Sequence, residues 1–205
     1  MSCRIGTGGG ARLVVLSILL SGCSPRLTTP AVDSAASEAA ITEYDGDGDG
    51  AIGGQELTQV PALKSALQQI DSNGDGQITA DEIKARIGAW RDSRIALTQL
   101  LLSVRLDGRP LPGAQVTIVP EKFLGPAVKP AQGKTDERGM VNLKISDERD
   151  ESGVHLGFYR IEVSKKSGEK ETIPERYNSQ SILGIEVAPD NPSVLGPVTV
   201  DVKSR

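Results

Sequence analysis

The chain is poor in cysteine, histidine, methionine and aromatic residues, and each shortage removes a class of function. Among its 205 residues only Cys3 and Cys23 are cysteines, and both lie near the start. The region that folds therefore has neither a disulfide framework nor a Cys-based zinc site. His155 is the single histidine, so no second imidazole can join it on a metal. Aromatics make up 3% of the residues, which leaves a core to be built from Val, Ile and Leu and offers no platform for stacking bases. With a formal net charge of −4 and no basic block, binding to nucleic acid has no footprint. The methionines are Met1 and Met140, too few for a Met-rich groove that wraps a target. No nucleophile–base pair, phosphate loop or convergent carboxylate set stands outside two short acidic clusters, so an enzyme is not expected. Glycine (23) and proline (12) are plentiful by contrast, which favours turns and short strands.

The N-terminal segment reads as an address. Arg4 and Arg12 precede the apolar run Leu13-Val-Val-Leu-Ser-Ile-Leu-Leu20, and the small residues Ser21 and Gly22 follow. This is the layout of a secretory signal, and the run falls short of the roughly 20 residues that cross a bilayer. The ending Leu20-Ser21-Gly22-Cys23 resembles the lipobox of bacterial lipoproteins; the alternative is an ordinary secretory signal that contains a cysteine. The resemblance implies cleavage before Cys23, lipidation of Cys23 and membrane attachment through the lipid. Ser24 in the next position implies the outer membrane, facing the periplasm or the surface. From Ser24 to about Ala40 the chain is rich in Ser, Thr, Ala and Pro and reads as a flexible tether.

Two acidic segments carry the chemistry. The first is Asp45-Gly-Asp-Gly-Asp-Gly-Ala-Ile-Gly-Gly-Gln-Glu56, and the second is Asp71-Ser-Asn-Gly-Asp-Gly-Gln-Ile-Thr-Ala-Asp-Glu82. Calcium is a hard cation that takes six to eight oxygens, and a twelve-residue loop can offer them at positions 1, 3, 5, 7, 9 and 12. Asp45, Asp47 and Asp49 fill positions 1, 3 and 5 of the first segment, and Asp71, Asn73 and Asp75 those of the second. Gly50 and Gly76 stand at the sharp turn in position 6. Ala51 and Gln77 would ligate through their carbonyls, and Glu56 and Glu82 would close each sphere with two oxygens. Gly53 in position 9 calls for a water, whereas Thr79 there can reach the ion through water and also cap a following helix. Both segments resemble the EF-hand loop, and the pair implies two calcium ions.

The EF-hand resemblance extends to the flanks. Ile52 and Ile78, in position 8, are expected in a short antiparallel contact between the loops. Glu56 to Val60 reads as a brief exit turn, residues 61–70 as one helix starting on Pro61, and residues 80–92 as another with Ile83, Ile87 and Trp90 on one face. The helix entering the first loop, residues 39–44, looks truncated. This layout is similar to the compact EF-hand repeats of secreted bacterial proteins, dockerins among them, and so admits a protein partner docked on the helices. The second loop is expected to bind more tightly, because Asn73 lowers anionic repulsion and fewer glycines must be ordered.

From about Arg94 onward short β-rich runs alternate with turns: 95–106, 114–119, 139–145, 157–164, 181–187 and 198–202. The stretches Val104-Arg-Leu-Asp-Gly-Arg-Pro-Leu-Pro-Gly-Ala-Gln-Val-Thr-Ile-Val-Pro120, Gly133-Lys-Thr-Asp-Glu-Arg-Gly139 and Gly157-Phe-Tyr-Arg-Ile-Glu-Val163 resemble the transthyretin-like, carboxypeptidase-regulatory-like family. That implies a β-sandwich of structural or adhesive use. The family's urate-pathway hydrolases need several histidines and a Tyr-Arg-Gly-Ser ending, which this chain lacks. Thr135 and Asp136 are expected to bond their own backbone in a turn closed by Gly139, Tyr159 to be a core aromatic, and His155 a turn residue. The expected fold is multi-domain: a signal (1–22), a tether (23–40), a small α-helical EF-hand pair (41–93) and an all-β antiparallel sandwich (94–205).

Overall fold

The structure is a computed structural model that describes residues 28–145 and 153–205. The signal, Cys23 and the first residues of the tether lie outside the described residues. Helix α1 (Ala36–Tyr44) leads into the first acidic loop. It starts inside the stretch expected as tether, so the entering helix is a full one. Its buried face consists of Ala36, Ser37 and Ala40, small residues that let α1 approach its neighbour closely but give no apolar period to read. Helices α2 (Pro61–Ser65) and α3 (Leu67–Ile70) replace the single helix expected over 61–70. Ala66 leaves helical geometry at φ −98°, ψ 3°, and its N–H is shared between the carbonyls of Ala62 and Leu63. Helix α4 (Ala80–Ser93) follows the second loop and ends on Arg94 in the left-handed region, φ 57°. Strands β1 (Ala51–Ile52) and β2 (Ile78–Thr79) join the loops antiparallel, with Ile52 opposite Ile78 and both fully buried.

The remaining strands form two larger sheets and one hairpin. They are β3 (Leu101–Leu106), β4 (Arg109–Pro110), β5 (Gln115–Pro120), β6 (Ala131–Lys134), β7 (Met140–Asn142), β8 (Lys144–Ile145), β9 (Gly157–Ser164), β10 (Lys166–Ser167), β11 (Lys170–Glu171), β12 (Gly184–Val187) and β13 (Val198–Val202). One sheet runs β12-β9-β5-β6-β8; the other runs β13-β3-β4, with β7 also on β3; β10 and β11 pair alone. A helical EF-hand part is thus followed by a largely antiparallel β-sandwich, and the β13–β3 pair is parallel. The strand expected over 95–106 shortens to β3, because residues 95–100 serve as the connector from α4 and meet the sheet region through the bridge Thr98↔Val154. The β3–β4 turn places Asp107 at φ 50° and Gly108 at φ 80°, the Asp-Gly geometry that matches strand twist. At the next turn, Asp136 accepts from the N–H groups of Arg138 and Met140, as expected. Thr135 does something else: its buried hydroxyl donates to the Leu111 carbonyl and accepts from Ala114 N–H, tying two loops together.

Strand register sorts the five-stranded sheet into two faces, since paired residues share a side and neighbours alternate. Tyr159, Ile161, Val163, Ile185, Val187, Val116 and Ile118 point inward to the other sheet's Leu102, Val104, Val141, Val200 and Val202, and all are buried. Tyr159 is the core aromatic expected, its hydroxyl donating to the His155 carbonyl at 2.9 Å. The opposite face carries Gly184, Glu186 and Phe158, and the helical part covers it as a third layer. Trp90 of α4 meets Phe158 edge-on at 4.5 Å between centroids, a geometry that aromatic quadrupoles favour. Gly184 is bare because any Cβ there would overlap the Pro61 carbonyl at the start of α2. Replacing Gly184 with Ala should therefore push α2 off the sheet and cost about 1–3 kcal/mol, read as a lower denaturant midpoint; an unchanged midpoint would contradict the close approach.

Candidate metal centre

Each acidic loop begins where a helix stops. Asp45 ends α1 and Asp71 ends α3, both with extended ψ values, 96° and 94°, and each still donates its N–H to the last helical turn. From there the two loops repeat the same hydrogen bonds position by position. Asp45 Oδ1 accepts from Gly48 at 2.6 Å and Asp71 Oδ1 from Gly74 at 2.7 Å. Their Oδ2 atoms accept from Gly50 and Gly76, each at 2.9 Å. Asp47 takes the N–H of Asp49, as Asn73 takes that of Asp75. Asp49 then takes the N–H of Ala51, as Asp75 takes that of Gln77. Glu56 folds back to accept from Gly46 and Gly53 at 2.7 and 2.9 Å, and Glu82 accepts from Ser72 and Thr79 at 2.9 and 3.0 Å. The turns demand glycine at positions 4 and 6: Gly48, Gly50, Gly74 and Gly76 all have φ between 76° and 90°, a region that only glycine enters freely.

The result is a cluster of hard oxygens. The carboxylates of Asp45, Asp47 and Asp49 bring ligand atoms within 4.8 Å of one another. Asp71, Asn73 and Asp75 hold the equivalent positions in the second loop, where the Asn73 amide donates to Asp75 Oδ2 at 2.9 Å and replaces one negative charge. Ala51 and Gln77 occupy position 7 in the paired strands β1 and β2 or beside them. Oxygen-only donors with a carboxylate at each end suit calcium and leave no role for soft or imidazole-seeking metals. The chemistry also requires ionised acids at neutral pH. The backbone N–H of Gly53, helped by that of Gly46, holds the Glu56 carboxyl below its ordinary range. Burial pushes Glu82 the other way, yet donors from Thr79 and Ser72 outweigh it and Glu82 is lowered too.

The loops differ at their exits. Thr79 makes a capping box with Glu82 and starts the fourteen-residue α4. Gly53 has no side chain to cap with, Gly54 turns at φ 42°, and only the 3₁₀ turn Glu56–Thr58 follows, the brief exit expected. The stem of Gln77 lies 3.0 Å from where a Cβ on Gly53 would stand, so that glycine also makes room for the neighbouring loop.

Apart from Trp90, sequence patterns did not single out the groups that fasten these loops to the sheet. Arg86 on α4 bonds Asp190 through both terminal nitrogens, at 2.7 and 2.8 Å, and Glu186 through Nε. Trp90 Nε1 donates to the same Glu186 oxygen at 3.1 Å. Tyr44, just ahead of Asp45, donates to the buried Glu121 at 2.9 Å. Burial pushes the Glu186 and Glu121 carboxyls upward, while the Arg86 guanidinium holds Asp190 down. The one available signal was Arg86 itself, a charge set among Ile83, Ile87 and Trp90. His155 is half-buried beside β9 and accepts from Lys129 N–H at 3.2 Å.

Comparison with known proteins agrees with the second loop. The family model described as EF hand matches residues 63–87, from α2 through the loop into α4. Searches of curated proteins and of solved structures give no match. The chain thus carries an EF hand, a motif whose chemistry is calcium binding. Removing the cap isolates its helix-starting role: Thr79→Ala should cost about 1 kcal/mol in chelator, read by circular dichroism during urea unfolding, and an unchanged midpoint would contradict the capping box.

Proposed function

We propose that the chain binds two calcium ions, one in each loop, as a structural module of a lipid-anchored envelope protein. Side-chain oxygens of Asp45, Asp47, Asp49 and Glu56 hold the first ion, with the Ala51 carbonyl. Asp71, Asn73, Asp75 and Glu82 hold the second, with the Gln77 carbonyl and with Thr79 through water. The observation that carries this reading is the position-by-position repeat of hydrogen bonds in the two loops, back to back across Ile52 and Ile78. A structural rather than signalling role is supported by the buried face of the helices. Leu63, Ile83 and Trp90 are buried, and Trp90 packs on Phe158 of the chain's own sheet, so the helix face that a sensor offers to a target is already occupied.

Calcium should raise the melting temperature saturably, and about 2.7 kcal/mol of stabilisation is expected at a hundredfold excess over Kd. Affinities of extracellular modules lie in the range of about 10⁻⁴–10⁻³ M. In isothermal titration Glu82→Gln should remove the tighter site and Glu56→Gln the weaker one. Equal losses of heat would overturn the ranking, and no heat from the wild-type chain would overturn calcium binding.

In this reading Cys23 carries the lipid and the protein faces the periplasm or the surface. Among the described residues no helix is long and apolar enough to cross a membrane; in this reading attachment is through the acyl chains on Cys23. Cys23→Ser should move the expressed protein from the detergent phase to the aqueous phase; retention in detergent would refute the anchor. The sandwich, with its Asp136–Gly139 turn, is read as a non-catalytic domain of the transthyretin-like, carboxypeptidase-regulatory-like kind. A second reading is calcium-dependent docking of a protein partner on helix surfaces left exposed, such as Lys84, Asp81 and Arg91. Partner capture that is lost in chelator would favour it.

A further inference from the structure

Three residues of α4, Glu82, Arg86 and Trp90, stand four apart and therefore on one stripe of the helix. The first closes the second acidic loop and is 8% exposed. The second, also 8% exposed, bonds Glu186, which is fully buried, and grips Asp190 with two further hydrogen bonds. The third donates to Glu186 and lies against Phe158 of β9. A single rigid helix thus has one end in the loop and the rest bolted to the outer face of the sandwich.

We propose that calcium binding in the second loop and docking of α4 on the sheet are one coupled equilibrium, in which Arg86 and Glu186 are positioning residues for the loop. The proposal rests on the calcium reading above. Without an ion, the negative charges of Asp71, Asp75 and Glu82, carried on one twelve-residue loop, have no cation to gather them, and their mutual repulsion favours swinging Glu82 and the first turn of α4 away. Docking opposes that swing by holding Arg86 and Trp90 one and two turns further on. When the docked, loop-competent state is only fractionally populated, apparent affinity falls by that fraction. Linkage makes the effect reciprocal: whatever docking contributes to calcium affinity, calcium contributes to docking. The first loop provides an internal control. Its Glu56 sits on a three-residue 3₁₀ turn and not on the docked helix, so its affinity should respond little to changes at Glu186.

Trp90 is the only tryptophan of the chain and reports directly on the contact. In the full chain, chelation should shift its emission to longer wavelength and calcium should restore it. Glu82→Gln should keep the chelated spectrum at calcium levels that restore Glu56→Gln. Removing Arg86 alone would strand a buried carboxylate and threaten folding, so the anchor is tested by Glu186→Gln and by the paired change Arg86→Met with Glu186→Gln. The paired change removes both charges and keeps an acceptor for Trp90. It should weaken second-loop affinity at least about fivefold while the first loop stays within about twofold, with Glu186→Gln alone in between. A merely structural contact would lower both loops together or neither. Calorimetric binding of two ions with unchanged Trp90 emission would overturn the coupling and leave calcium binding intact, as would wild-type second-loop affinity in the paired variant. Absence of any calcium heat would overturn both.

Discussion

The contact between Arg86 and the buried Glu186 determines how the helical part sits on the sheet. A carboxylate taken out of water is costly unless a cation and further donors meet it. Here Arg86 and Trp90 both converge on one Glu186 oxygen, and Asp190, 62% exposed, holds the other side of the guanidinium. Such an arrangement tolerates little sliding, because a shift of one residue along α4 would turn Arg86 off the sheet. Gly184, two residues earlier on the same face of β12, is bare for the same reason: α2 must pass within backbone contact. Tyr44 on Glu121 fixes α1 beside the end of the central strand β5. The apolar packing of Trp90, Phe158 and Phe123 fills the space between these fixed points.

This attachment changes what the helical EF-hand part can do. The helix faces that a regulatory pair would offer to a target are spent on the chain's own sheet, and the near absence of methionine fits a surface that does not need to re-pack. The two loops are alike in their internal bonding and unlike in their surroundings. The second leads into a capped helix whose side chains reach the sandwich; the first has Gly53 and Gly54 near its end and leads into a short turn. Two acidic loops of similar design are thereby given different mechanical supports.

Much of the candidate site was legible because its geometry is local. A twelve-residue loop with carboxylates at fixed positions, glycines at the positive-φ turns and an isoleucine in position 8 dictates its own shape, and the β1–β2 contact followed. The capped start of α4 at Thr79 was equally local. What escaped was set by distant partners. Residues 36–40 read as tether because Ala36 and Ala40 bury small methyl groups and leave no apolar period. The break at Ala66 sits among residues that all suit a helix. Glu186 lies in an outward-facing strand position where alternation calls for solvent, and its partner is 100 residues away in the chain. The parallel pairing of β13 with β3 likewise joins the two ends of the sandwich, and no local pattern reports it. Thr135 looked like a turn residue bonded to its own backbone, whereas its hydroxyl bridges loops that only the folded sheet brings together.

The central claim is that both loops are calcium sites, whereas the EF hand family model matches the second alone. Native mass spectrometry of the folded chain in calcium counts the ions directly. Two bound calcium ions, filled in sequence and both lost to chelator, are the predicted result. Saturation at a single ion, or none, would contradict the account.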